Sequence, residues 1–323
     1  MRIIFAALCA IVSLVAEEPA SLLLQEENFV LNRNDFPATF PEVPPIESKE
    51  LQIAPQPPSQ KNPVVSAMLS SLVPGLGHVY INDMTTAAGF MGTTALTMVF
   101  TFSPTPMISD TSFTALQTTY FYSCYAAYRD TRLLNGASNY HYPMPNNSLA
   151  ELTTAPFSWS VMKKPEVWGG ILGTLAAASA TSYLAFRDVA KIEMKSGRSS
   201  RLPIIAWPVG IGEEAIFRGF LQTALSESLN PTSGLILSSL AFGAAHIPNA
   251  KHMSPDQQWR YFAFSLPLIT GIGAYCGWLT QKNNSLRESV ALHTWYDFVL
   301  FTLDAVAGSA AIGQPSFAFA IPF

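Results

Sequence analysis

Residues 213–218 read Glu-Glu-Ala-Ile-Phe-Arg and lie inside an apolar stretch, 202–225. A carboxylate or guanidinium at the centre of a membrane helix costs roughly 2.5–3.5 kcal/mol. Such groups persist there when they pair with one another or take part in chemistry. Two later apolar stretches add His246, His293 and Asp297, so bases, proton donors and metal-ligating groups are all available.

Helix geometry predicts different roles for the two glutamates. Successive residues rotate by about 100°, so Glu214 and Arg218, four positions apart, share a face in the favoured order for an ion pair. Glu213 and Arg218 diverge by about 140°. We therefore expect Arg218 to neutralise Glu214, and Glu213 to point elsewhere as a general base, since burial in apolar surroundings strengthens a carboxylate base.

The four-residue spacing recurs in two further segments. Phe242 lies one turn before His246 and can fix the histidine ring. His293 and Asp297 share a helix face in the same way. With Glu213, these segments offer a base and several proton-bearing or metal-ligating groups from three helices.

The elements that position these groups are predicted to be membrane helices. Hydrophobic residues make up 49% and charged residues 12% of the chain, about half the charged share of soluble domains. The apolar residues cluster in runs that are mostly near the roughly 20 residues needed to span a bilayer. The candidate spans are 64–81, 87–103, 111–128, 167–186, 202–225, 232–247, 259–280 and 288–308. We predict an all-α, polytopic protein of the bacterial inner membrane, with about seven to eight transmembrane helices.

Composition divides the chain further. Residues 1–16 have the length of a signal-peptide core, with an uncleaved N-terminal anchor as the alternative. Residues 17–62 are acidic and Pro-rich, which predicts a disordered segment. The other divisions are a hydrophobic helical module at 63–135, a polar linker at 136–165, the segment with the polar groups at 166–310 and a C-terminal tail at 311–323.

The first module contains the sequence Pro-Gly-Leu-Gly-His-Val-Tyr at 74–80. It resembles the hairpin signature of small bacterial two-helix membrane modules, in which glycine and proline permit a bend. We interpret His78 as a polar residue at this bend, near the membrane interface.

Two classes of function are disfavoured by composition. The cysteines, Cys9, Cys124 and Cys276, fall in separate apolar segments, so neither a disulfide framework nor a thiolate metal cluster is predicted. Cys124 and Cys276 are expected to be buried packing residues. The net charge is −4, and no basic patch interleaved with aromatics indicates a nucleic acid partner.

The three motifs together resemble those of a known family. Glu-Glu-x-x-x-Arg, Phe-x-x-x-His and His-x-x-x-Asp, beginning at 213, 242 and 293, occur in this order on successive apolar segments. This pattern is similar to that of the CPBP family, the CAAX proteases and bacteriocin-processing enzymes, which are intramembrane endopeptidases of the type II CAAX prenyl protease class. The resemblance covers 166–310, less than half of the chain.

The resemblance implies a role for each matching position. Glu213 would activate the attacking water, and Glu214 and Arg218 would support the site. The residues that would bind a metal or stabilise the oxyanion are His246, His293 and Asp297. The family has Asn or Asp at the last of these positions; an ionised Asp297 cannot donate a hydrogen bond, which favours metal binding or orienting His293.

The cofactor stays open between two mechanisms. Two histidines and a carboxylate suit a Zn²⁺ site with an open position for water. A metal-free mechanism, with a glutamate base and protonated histidines that stabilise the oxyanion, is equally compatible.

We predict an intramembrane endopeptidase that hydrolyses a peptide bond of a membrane-associated protein or peptide within the lipid bilayer. One alternative is a proton- or metal-ion-coupled transporter, since intramembrane carboxylates and histidines also serve ion pathways; the inverted repeats typical of transporters are not evident in the sequence. A second alternative is a non-catalytic membrane scaffold that binds a peptide without cutting it.

Overall fold

The computed structural model describes residues 60–136, 139–186 and 202–310, and all regular elements within them are helical. The predicted all-α class is therefore confirmed. The predicted signal peptide or anchor, the Pro-rich segment up to residue 59, residues 187–201 and the C-terminal tail lie outside the described residues.

Four helices form the first part of the fold: α1 (Pro63–Leu72), α2 (Leu76–Tyr80), α3 (Met84–Thr101) and α4 (Pro106–Asn135). Asn62 caps α1 by accepting hydrogen bonds from the first-turn amides, and Asp83 does the same for α3. The predicted span 64–81 is two helices, because the chain bends at Gly75, whose φ of +99° favours glycine.

The predicted polar linker contains short ordered elements. These are α5 (Leu149–Thr154), a 3₁₀ turn (Ala155–Phe157) and α6 (Trp159–Met162). Ser148 and Glu151 form a capping box that starts α5. Leu152 and Val161 are buried, so this connection packs against the rest of the protein.

The second part of the fold begins with α7 (Pro165–Phe186). A 3₁₀ turn (Pro203–Ile205) then leads into one continuous helical segment made of α8 (Ala206–Glu214), a π-helix (Ala215–Gln222) and α9 (Thr223–Ser228). The remaining elements are α10 (Pro231–Ala245), a 3₁₀ segment (Ile247–His252), α11 (Pro255–Arg260), a π-helix (Tyr261–Ser265), α12 (Leu266–Asn283) and α13 (Arg287–Ala310).

The segment 206–228, here called the central helix, lies at the middle of the fold. Its residues 214–226 are all buried, because α4, α10 and α13 pack around it. Two glycines permit the close approach of α4: a Cβ on Gly212 would lie 3.0 Å from the Cα of Thr118, and a Cβ on Gly219 would lie 2.8 Å from Cε2 of Tyr125. The first helical module therefore supports the helix that carries both glutamates.

One described segment, Pro255–Asn283, is long and apolar enough to cross a membrane, with a mean hydropathy of 1.4. A shorter apolar helix is Pro63–Leu72. The predicted seven to eight transmembrane helices therefore stay a prediction. The expected burial of Cys124 and Cys276 is confirmed.

Candidate active site

The central helix carries a buried ion pair at its middle. Nη1 of Arg218 lies 3.0 Å from Oε1 of Glu214, and both side chains are fully buried. The second arginine nitrogen, Nη2, donates to the carbonyl of Gly273 on α12 at 2.9 Å. The guanidinium also lies over the ring of Phe242, 4.2 Å from its centroid. Arg218 thus joins the central helix to α10 and α12.

Glu214 has a second partner that the spacing did not predict. Nδ1 of His293 lies 2.8 Å from the same Oε1 that contacts Arg218. Since a carboxylate only accepts, Nδ1 carries the proton of this hydrogen bond. The opposite ring nitrogen, Nε2, is therefore turned toward the other two acids, 3.4 Å from Oδ2 of Asp297 and 3.8 Å from Oε2 of Glu213.

His246 is held by the residue one turn before it, as predicted. Its Nδ1 lies 2.8 Å from the carbonyl oxygen of Phe242, and the two rings are 4.7 Å apart. Because a carbonyl only accepts, Nδ1 is the donor, and a neutral His246 has its lone pair on Nε2. The carbonyl of His246 accepts from the hydroxyl of Tyr261 at 2.8 Å, which anchors the end of α10.

A cavity of about 60 Å³ lies between these helices. A water molecule needs roughly 10–15 Å³ on this measure, so the cavity has room for a water and part of a substrate. Apolar side chains from α8, α10, α12 and α13 complete its lining. The acidic and imidazole groups on it are Glu213, His246, His293 and Asp297.

The structure therefore brings the sequence-predicted residues together. Glu213 is partly accessible, with 16% of its side chain exposed, whereas Asp297 is almost fully buried at 2%. Glu214, Arg218 and Phe242 lie behind this cluster and support it.

Three supporting features were not predicted. The helix changes to π geometry at Ala215–Gln222, directly after the two glutamates, and such bulges are frequent at functional sites. The carbonyl of Gly273 and the hydroxyl of Tyr261 also hold the site. The sequence did hold a signal for the contact at Gly273. Gly273 and Gly277 are four positions apart on α12, and small residues at that spacing let a neighbouring helix approach closely.

The described residues include no group of three or more His, Cys, Asp or Glu side chains arranged to hold a metal ion. Nδ1 of His293 donates to Glu214 and Nδ1 of His246 donates to a carbonyl, so each ring has Nε2 available. A metal-bound histidine is commonly held in the same way, and the expected Zn²⁺ therefore stays a prediction.

His78 lies apart from this site, in the short helix that follows the bend at Gly75, and its position near the membrane interface stays a prediction. It is completely buried, and its Nε2 lies 3.1 Å from Oδ2 of Asp130. Its ring stacks on Phe90 at a centroid distance of 5.2 Å. The bend packs inward against α4, which explains why the polar residue is buried and paired.

We expect Gly273→Ala to lower the free energy of unfolding by about 1–3 kcal/mol, since the pocket around it is already filled. A Cβ there would lie 2.9 Å from Nη2 of Arg218 and 2.9 Å from Cδ1 of Phe242. Gly271→Ala on the same helix is the control, because nothing lies within 4 Å of its Cβ, and it should be neutral or slightly stabilising. Detergent unfolding curves compare the two; equal stability of both variants would contradict the packing described here.

Comparison with known proteins gave a match in the part of the chain that forms the site. Residues 198–299 match the family model described as Type II CAAX prenyl endopeptidase Rce1-like. The matched segment is less than a third of the 323 residues, and it includes all three motifs. No curated protein and no solved structure matched the chain. The family indicates a protease, and its members are membrane proteins. The resemblance predicted from the motifs is therefore confirmed: residues 198–299 are similar to the Rce1-like type II CAAX prenyl endopeptidases.

Proposed function

We propose that the protein is an intramembrane endopeptidase that hydrolyses a peptide bond of a membrane-associated protein or peptide. One observation carries this proposal: a base, two imidazoles and a further carboxylate from three helices line one cavity of about 60 Å³. Four separate structural roles for these residues would not require a shared cavity. The family match supports proteolysis as the chemistry.

In the proposed mechanism, Glu213 takes a proton from a water in the cavity as the water oxygen attacks the peptide carbonyl carbon. The lone pair on Nε2 of His246 accepts a hydrogen bond from the same water and orients it. The carbonyl π electrons move to oxygen, and the resulting oxyanion is stabilised by Nε2–H of a protonated His293. Collapse of the tetrahedral intermediate breaks the C–N bond, and Glu213 returns the proton to the leaving amine.

Asp297 and Glu214 act on His293 in this mechanism. Glu214 accepts from Nδ1 at 2.8 Å, and Asp297 lies 3.4 Å from Nε2. Two carboxylates on opposite edges of the ring favour its positively charged form, which is the form that can donate to an oxyanion. An ionised Asp297 thus contributes by orienting His293.

We propose further that the fold is embedded in lipid as a multi-pass protein. Large apolar side chains face outward on several helices, including Val99 (68% exposed) on α3 and Leu184 (69%) on α7. Lipid hydrocarbon is a favourable environment for such side chains, because contact with it removes their apolar surface from water. Hydrocarbon around these faces would also exclude bulk water from the site.

Comparative proteomics tests the proposed function. Membrane and secreted fractions from cells that carry Glu213→Gln should accumulate uncut precursors that wild-type cells process, while the variant protein inserts and accumulates normally. Glu166→Gln is the control, since Glu166 pairs with Lys282 away from the cavity, and its cells should show no precursors. Identical peptide termini in Glu213→Gln and wild-type cells would overturn the proposal.

A further inference from the structure

A second polar layer lies one turn beyond the site on the central helix. Nε2 of Gln222 donates to the carbonyl of Gly277 at 3.0 Å, and its Oε1 accepts from the hydroxyl of Ser238 at 3.2 Å. Gln222 is 1% exposed and Ser238 is fully buried. Both ends of the amide therefore have partners on other helices, one on α12 and one on α10.

This layer repeats the geometry of the site layer. Arg218 and Gln222 are four apart on the central helix, and their acceptors, Gly273 and Gly277, are four apart on α12. Each side chain reaches the glycine carbonyl because no Cβ intervenes; a Cβ on Gly277 would lie 2.6 Å from Oε1 of Gln222. The two donors thus fix the position of α12 along the central helix.

The third helix of the layer carries a catalytic candidate. Ser238, Phe242 and His246 follow one another at four-residue spacing on α10 and share a face. Arg218 holds this face at Phe242, and Gln222 holds it at Ser238. Two contacts along one helix fix its rotation, which a single contact does not. The rotation of α10 decides where the imidazole of His246 enters the cavity.

We infer that Gln222 is a positioning residue for the proposed peptide hydrolysis, acting through Ser238 and Gly277 to place His246 opposite Glu213. The inference rests on the proposed endopeptidase function. Gln222 lies on none of the cavity walls, so its effect is on geometry. A catalytic group displaced by about 1 Å can lose up to about 100-fold in rate.

Gln222→Met tests the inference, because methionine has a similar length and neither donates nor accepts at the amide positions. With a substrate found by the proteomic comparison, kcat should fall about 10- to 100-fold, while KM stays within about twofold. Ser238→Ala, which removes one of the two contacts, should cause a smaller fall in kcat. Adding Ser238→Ala to Gln222→Met should cause little further loss.

The matched control is Ser239→Ala. Ser239 is the neighbour of Ser238 and is also buried, and its hydroxyl donates within its own helix to the carbonyl of Leu235 at 2.6 Å. The hydroxyl of Ser238 is instead shared between that carbonyl at 3.1 Å and Gln222 at 3.2 Å. This variant should keep wild-type kcat. The histidine ¹⁵N–¹H NMR signals of detergent-solubilised protein give a readout independent of cleavage: the His246 signals should shift in Gln222→Met and stay in place in Ser239→Ala.

Three results decide whether Gln222 positions His246. Wild-type kcat together with unmoved His246 signals in Gln222→Met overturns the inference. If Gln222→Met does not accumulate, Ser238→Ala decides by the same two measurements. If Glu213→Gln leaves cleavage intact, the proposed function has failed, and the NMR signals alone then support or overturn the positioning of His246 by Gln222.

Discussion

Glu213→Gln is expected to lower the rate of cleavage and Glu214→Gln to lower the stability of the protein, although the two residues are adjacent. Glu213→Gln should lower kcat about 10²- to 10⁴-fold, the range for loss of a general base, with little change in stability. Its Oε2 lies 3.8 Å from Nε2 of His293, beyond hydrogen-bond distance, and 16% of its side chain is exposed. Removing its charge therefore breaks no strong buried interaction.

Glu214→Gln should instead lower the free energy of unfolding by about 3 kcal/mol or more, because one partner of a buried ion pair is lost. The carboxylate is fully buried, and its Oε1 contacts Arg218 at 3.0 Å and His293 at 2.8 Å. Chemical unfolding in detergent gives the stability, and cleavage of an identified substrate gives the rate. If Glu213→Gln were the less stable variant, or if it cleaved at the wild-type rate, the division of roles would be wrong.

Much of the site was predictable because its pattern is local. The contact of Glu214 with Arg218 and that of His293 with Asp297 follow from four-residue spacing within one helix. The ring of His246 beside Phe242 has the same origin. The all-α class was predictable because the long apolar runs were interpreted as membrane helices, in which the backbone is hydrogen-bonded internally.

Contacts between helices were beyond sequence reasoning. The bond from His293 to Glu214 joins residues 79 positions apart, and no periodicity encodes it. The π-helix at Ala215–Gln222 was also not predicted, because a regular α-helix was expected there. A hydrogen bond marks its C-terminal end: the hydroxyl of Thr223 donates to the carbonyl of Arg218, five residues earlier, at 3.3 Å.

The role of the first module also needed the tertiary structure. Its composition predicted a separate helical module, with no sign of where it would dock. In the structure, Thr118 of α4 donates to the carbonyl of Pro208 at 2.9 Å, and Tyr128 packs edge-on against Phe220 with ring centroids 5.2 Å apart. Both contacts join α4 directly to the central helix.

Arg218→Met is expected to lower the free energy of unfolding by about 3–5 kcal/mol, the cost of leaving a buried charge without its partner. The guanidinium is the cation that contacts Glu214 at 3.0 Å, and it also satisfies the carbonyl of Gly273 at 2.9 Å. Methionine keeps much of the volume against Phe242 but supplies no charge and no donor. Reduced accumulation in membranes and a lower unfolding midpoint in detergent are the measurements.

The double variant Glu214→Gln with Arg218→Met separates charge from packing. Removing both partners of a buried ion pair leaves no isolated charge, so the double variant should be more stable than either single variant. Cleavage should nevertheless stay low, because an amide can present either its oxygen or its NH₂ group to Nδ1 of His293, whereas the carboxylate always accepts. A strictly additive loss of stability would show that the ion pair is not what holds the central helix. Full recovery of cleavage in the double variant would show that His293 does not depend on Glu214.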